Sequence, residues 1–234
     1  MGTRLKGHRQ GRAFRKGLLA ILGTGLLVAP LTAAHPAERA VARTQAAPKI
    51  VYLTFDDGPS TKYTAQVQAV LTRYKVRATF FQTGHNVAVY PSITRRTHLL
   101  GHSVQNHTWS HVDLTTVTWK RFQDEVNRTD AAIRAQTGYK PRCLRPPYGA
   151  SDSLVRQRAD LMGKKLRFWT VDPRDWSRPG ARAIESRVLA NVRSGSVILL
   201  HDGGGDRSQT VAALPKILST LKARGYTFSR MTCG

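Results

Sequence analysis

From residue 50 onward the chain repeats one alternation: a short apolar run, then a polar amphipathic stretch of helix length. The runs are IVYLTF, ATFFQ, HSVQN, RCLR, LRFWTV, SVILL and YTFSRM. Between them lie residues 62–74, 90–100, 117–136, 151–162, 181–193 and 210–224, each long enough for three turns of helix. A strand that returns through a crossover helix re-enters its sheet parallel to its predecessor. Seven strands so connected predict an α/β fold with a parallel sheet, and within one domain of a 234-residue chain a closed or nearly closed barrel is favoured over an open sheet.

The N-terminal region does not share this pattern. Arg4, Lys6, Arg9, Arg12, Arg15 and Lys16 precede an uncharged apolar stretch from Leu18 to about Leu31, which ends in small residues. This predicts a secretory signal peptide over residues 1–34, cleaved after Ala34. A retained membrane anchor is the weaker reading, because a span needs roughly 20 apolar residues. Residues 35–48, HPAERAVARTQAAP, lack periodicity and read as a linker, leaving 49–234 as the folded domain. The formal charge of the full chain is +23, and loss of the leader removes six basic residues and no acidic one. Such a field favours an anionic partner, which for an exported protein means wall polymers or lipid headgroups. No Lys/Arg tract with interleaved aromatics marks a nucleic-acid stripe. The expected location is extracellular, with electrostatic association to an anionic cell wall. Cys143 and Cys233 are the only cysteines, and export permits a disulfide between them; two buried thiols are the alternative.

The polar clusters DDGP, NHTWSH, RPPYG, DPRDW and LLHD each fall at or just past the C-terminal end of a different expected strand. In a parallel barrel those ends share the face on which active sites are built. His107 and His111 are four apart, so a helical turn would put both imidazoles on one face, a spacing suited to one metal ion. A carboxylate from Asp56-Asp57 at a neighbouring strand end supplies a third ligand and leaves coordination positions open. Zn²⁺ suits these donors best, with Co²⁺ or another divalent ion as alternatives. Successive residues of an extended strand point in opposite directions, so one aspartate would ligate the metal and the other face substrate or water. Arg145 can pair with a carboxylate and keep it ionised. The prolines after it stiffen a loop that could turn the Tyr148 backbone N–H toward a developing oxyanion. Asp175 offers an orienting carboxylate and Trp176 an apolar wall. His201 is the natural general acid, and Leu199, two residues away along the strand, shares its face. His85, His98 and His102 have no such support and read as surface or core residues.

These five clusters, in this order, resemble the motifs of the polysaccharide deacetylase family, the NodB-homology hydrolases grouped as carbohydrate esterase family four. The resemblance covers about residues 49–231. It implies a distorted (β/α) barrel with fewer than eight complete units. It further implies that Asp57, His107 and His111 bind the metal and that Asp56 is the catalytic base, held by Arg145. The Tyr148 N–H would help stabilise the oxyanion, Asp175 would tune His201 as the acid, and Trp176 and Leu199 would line the pocket for the acetyl methyl. The expected activity is removal of acetyl groups from N-acetylglucosamine in peptidoglycan or chitin-like glycan. An O-acetyl esterase acting on acetylxylan, and a non-catalytic module that binds glycan or cell wall, are the alternatives.

Overall fold

The computed structural model describes residues 48–233, together with the single residue Ala20. The expected signal peptide and all of the linker but Pro48 therefore lie outside the described residues, Ala20 apart. The strands are β1 (Lys49–Asp56), β2 (Thr79–Gln82), β3 (Ser103–Asn106), β4 (Cys143–Leu144), β5 (Lys165–Leu166), β6 (Val197–His201) and β7 (Tyr226–Ser229). Helices α1 (Tyr63–Arg73), α2 (Gly84–Val89), α3 (Pro91–Leu99), α4 (Trp119–Thr137), α5 (Ser153–Leu161), α6 (Ala181–Asn191) and α7 (Ser208–Ala223) intervene. Every strand pairing is parallel, in the order β5-β4-β3-β2-β1-β6, with β7 beside the first half of β1. Seven parallel strands with flanking helices are the architecture that the alternation predicts. Among the described residues no helix is long and apolar enough to cross a membrane.

Two elements differ from the sequence expectation. The short helix α2 stands ahead of α3, in a stretch with no strong period of its own. The run LRFWTV forms a ladder at its start only, then touches β6 through a single parallel bridge between Val171 and Ile198. The reason is chemical. The carbonyls of Arg167 and Phe168, which would otherwise extend the ladder, accept hydrogen bonds from the Arg145 guanidinium at 3.1 and 3.2 Å. This segment carries the wall from β5 across to β6, so the sheet curls toward closure through side-chain as well as backbone bonds.

Alternation along β1 shows how the strand serves two surfaces. Val51, Leu53 and Phe55 are fully buried in the main core, which also takes Val67 and Leu71 of α1, Ile184 and Val188 of α6, and five residues of α7. Thr54 and Asp56 point the other way, into the barrel, where both meet Arg145. Truncating one such core side chain, Leu53→Ala for example, costs about 2–5 kcal/mol. Each face therefore has its own constraint: volume outside, hydrogen bonding inside.

Cys143 of β4 and Cys233 near the C-terminus form a disulfide, with α-carbons 5.3 Å apart and a sequence separation of 90. It ties the tail that follows β7 to β4, and on the way Met231 N–H bonds Thr79 Oγ1 of β2 at 2.9 Å. The double variant Cys143→Ser/Cys233→Ser should lose about 2–5 kcal/mol in urea unfolding. A loss under half a kcal/mol would show that the tail is held without the bridge.

Candidate active site

Strand register brings the chemistry together before any loop is considered. Asp56 of β1 lies directly beside His201 of β6, and Asn106 of β3 beside Leu144 of β4, so residues 56, 107, 145 and 201 come to one level at the strand ends. Arg145 is fully buried. Its Nη1 donates to Asp56 Oδ1 at 2.7 Å and to Thr54 Oγ1 at 2.8 Å, while the remaining nitrogens bond the carbonyls of Arg167 and Phe168. A buried charge needs this full set of partners, since desolvation costs several kcal/mol per ion. The guanidinium also stacks 4.0 Å from the Phe81 ring.

Asp57 is turned away from Asp56 by its backbone: β1 ends at Asp56, and Asp57 takes a left-handed conformation with φ 70°. Its Oδ1 lies 3.3 Å from both His107 Nε2 and His111 Nε2. The three residues form the cluster that could hold a metal ion, with all ligand atoms within 4.8 Å of one another. Asp57 Oδ1 is buried and accepts no hydrogen bond. An orphaned carboxylate oxygen between two imidazole nitrogens is a donor set that fits a small divalent cation. Burial alone would raise the Asp57 carboxyl, yet the two imidazoles hold it well below the usual carboxylate range. Burial likewise opposes charge on His107, but Asp56 and Asp57 outweigh it and move that group up.

His107 and His111 do not sit on a helix. Residues 107–111 form an irregular loop in which Thr108 (φ 65°) and His111 (φ 58°) are left-handed, and this doubled reversal brings the imidazoles together, with ring centroids 5.0 Å apart. Each ring is oriented from behind. His107 Nδ1 is 2.8 Å from the Arg145 carbonyl, and His111 Nδ1 is 3.2 Å from the Tyr148 hydroxyl.

On the opposite side, Asp175 Oδ1 accepts from His201 Nδ1 at 2.7 Å, and its Oδ2 accepts the His201 backbone N–H at 2.9 Å and the Thr210 hydroxyl at 2.8 Å. Burial would lower His201, but Asp175, with Asp56 and Asp57 farther off, overrides it and raises the imidazole to about 9. Leu199 and Trp176 complete a cavity of about 430 Å³ that also takes in Asp56, Asp57, Tyr148 and Trp169. Tyr148 itself is left-handed, φ 61°, in a single turn at Pro147–Gly149. Every site residue singled out in the sequence thus lies at or behind this cavity.

The chain matches the Polysaccharide deacetylase family model over residues 43–166. It is 40% identical over 183 residues to a peptidoglycan-N-acetylglucosamine deacetylase of Bacillus cereus, covering 77% of this chain and 85% of the relative. It is 43% identical over 188 residues to a chitooligosaccharide deacetylase of Bradyrhizobium, covering 75% and 86%. The chain belongs to the polysaccharide deacetylase family. The fold agrees: the crystal structure of the Bc1960 peptidoglycan N-acetylglucosamine deacetylase, bound to a naphthalenyl N-oxidanyl-benzamide, superposes with a TM-score of 0.77 at 35% identity, covering 79% of this chain and 87% of the other. Its family is one of hydrolases acting on carbon–nitrogen bonds.

In this family member the motif residues do not stand unaided, and two supporting groups escape sequence reading. Asp202 is fully buried beside the DDGP loop, where its Oδ2 accepts the Thr64 hydroxyl at 2.6 Å and its backbone N–H bonds the Asp56 carbonyl. Burial pushes its carboxyl up to about 7, the Thr64 bond opposing and the charges of Asp57 and Asp56 adding. Gly58 exists for this contact, since a Cβ there would stand 2.6 Å from both Asp202 oxygens. The signal was adjacent, because Asp202 follows His201 in LLHD. Glu125, on α4, had none: it is buried against the His107–His111 loop and lies in no motif. His102 is a core residue as expected, its Nδ1 accepting from Ala78 N–H and its burial lowering it to about 4. Replacing Arg145 by Met would strand the Asp56 carboxylate in the barrel; urea unfolding should show a loss of about 3–5 kcal/mol.

Proposed function

We propose that this chain is a metal-dependent N-deacetylase of N-acetylglucosamine in peptidoglycan or chitin-like glycan. The observation that carries this reading is Asp57 Oδ1, buried and unbonded between two imidazoles, with a buried Arg–Asp pair on one side and a His–Asp pair on the other. Asp57, His107 and His111 would hold the ion, Zn²⁺ on this mix of nitrogen and oxygen donors, with Co²⁺ as an alternative. A bound divalent ion would polarise the acetyl carbonyl and bring the pKa of a water toward about 7. Asp56 is the base that accepts the proton of the attacking water, and its ion pair with Arg145 holds it aimed. Tyr148 offers its backbone N–H to the oxyanion as the carbonyl becomes tetrahedral. His201 then gives its Nε2 proton to the departing sugar amine, its Nδ1 remaining on Asp175. Leu199 and Trp176 close around the acetyl methyl and exclude water from it.

The relatives named peptidoglycan-N-acetylglucosamine and chitooligosaccharide deacetylase support the substrate class. The basic leader followed by an apolar core supports export, and the positive charge of the chain suits work on an anionic wall. Purified protein loaded with Zn²⁺ should release acetate from N-acetylated chitooligosaccharides or peptidoglycan faster than from acetylated xylan. Acetate from xylan alone would reassign the enzyme as an O-acetyl esterase, and none from any glycan would leave a binding module.

Two variants probe the acid and the base. Asp56→Asn should reduce turnover about 10²–10⁴-fold while the protein still binds zinc; near-normal activity would remove Asp56 from its role. Below about pH 9 the raised His201 is protonated and competent, so kcat/KM should fall as pH rises through that region. Asp175→Asn removes the largest group holding His201 up, so the alkaline limb should move to lower pH. A limb that stays in place would mean another group is the acid.

A further inference from the structure

The loop that carries His111 is unfavourable on its own. Thr108 and His111 both occupy the left-handed region, at φ 65° and 58°, a strained conformation that side-chain-bearing residues keep only where the surroundings over-determine it. His111 is also the looser of the two imidazoles. His107 directly follows β3 and its side chain is 3% exposed, whereas that of His111 is 30% exposed and is tethered at 3.2 Å to a tyrosine hydroxyl.

One anion imposes the loop. Glu125 projects from α4 and is 1% exposed. Its Oε2 accepts the backbone N–H of both Trp109 (2.7 Å) and Ser110 (2.8 Å), and its Oε1 accepts the Ser110 hydroxyl at 2.7 Å. Two successive N–H groups converging on one oxygen make a concave anion-binding turn. Arg121, one helical turn back, pairs with Oε1 at 2.7 Å and also reaches the Ser110 hydroxyl at 3.1 Å, which neutralises the buried charge. Neighbouring backbone completes the enclosure: Gly84 N–H bonds the Thr108 carbonyl, and His85 N–H the Trp109 carbonyl. Glu125 is the only ionised side chain that holds residues 108–110 by their N–H groups among the described residues.

We propose that Glu125 is a positioning residue for the metal site: its carboxylate selects the loop conformation that aims His111 Nε2 at Asp57 and thereby sets affinity for the divalent ion. This rests on the reading that Asp57, His107 and His111 hold such an ion. Outer groups that orient metal ligands typically change affinity by about 10- to 100-fold when altered. Glu125 acts one step farther back, through the peptide that carries the ligand.

The test is zinc affinity, measured by competition with a chromophoric chelator, and needs no glycan. Glu125→Gln keeps the shape but cannot accept from two N–H groups and an arginine together. It should weaken Zn²⁺ binding about 10- to 100-fold, change the visible spectrum of the Co²⁺ form, and regain acetate release at saturating zinc. Ser110→Ala, at an exposed position, deletes the hydroxyl's bonds to Oε1 and to Arg121 while both backbone N–H bonds to Oε2 remain, and should weaken zinc about three- to tenfold, which decides the matter if the first variant does not fold. Zinc affinity within twofold of wild type in a folded Glu125→Gln, or in Ser110→Ala where only that variant folds, overturns the proposal, whatever happens to thermal stability. Wild-type protein that binds no zinc overturns it together with the metal reading. Tight zinc without acetate release would fault the proposed reaction alone.

Discussion

A guanidinium with no access to water governs the layout of this protein. Arg145 joins β1 to the segment after β5 and fixes the Asp56 carboxylate at the mouth of the barrel. Burying one charge is expensive, and burying two is tolerable only when their geometry satisfies every lone pair and proton. That requirement dictates local backbone. The strand after β5 gives up its ladder so that two carbonyls can face the arginine, and Thr54 occupies an interior position where an apolar residue would leave an N–H unpaired. The same interaction keeps the interior polar at one end, while the opposite face of β1 supplies the apolar core.

Much of the fold is legible in the chain because the code is local. Apolar runs separated by helix-length segments require parallel strands, and all seven runs contribute a strand. Polar clusters at the strand ends then converge by topology, which is why Asp56, His107, Arg145, Asp175 and His201 could be named together without a structure. What stays hidden depends on partners distant in sequence. Nothing within LRFWTV says that its carbonyls belong to Arg145, and nothing within HTWSH says that it will refuse a helix. Spacing of four was the right signal for convergence but not for conformation: a loop with two left-handed residues reaches the same end. Glu125 was invisible because its role depends on where α4 packs, and on its face of the helix it resembles any Glu next to an Arg one turn away.

The site is assembled by close backbone approach as much as by side chains. Gly203 stands so near the Asp57 carbonyl that a Cβ would fall 2.2 Å from it, and Asn86 donates to the same carbonyl at 2.9 Å. Together with the Asp202 contact at Gly58, these pin the turn on which Asp57 is displayed. The geometry of the three candidate ligands is therefore inherited from loops after β1, β3 and β6, each locked by a different device. Two glycines permit the first, a glutamate shapes the second, and a buried aspartate anchors the third.

The pairing of His201 with Asp175 has a consequence for the proposed reaction. One ring nitrogen is committed to a carboxylate inside the wall, so only the other faces the opening. In that reaction a proton surrendered there would be replaced from the cavity itself, by solvent or by the Asp56 carboxyl that took the proton of the attacking water. Reset of the imidazole would thus draw on the same chamber that product must leave, and a product that lingers would delay the recharging of His201.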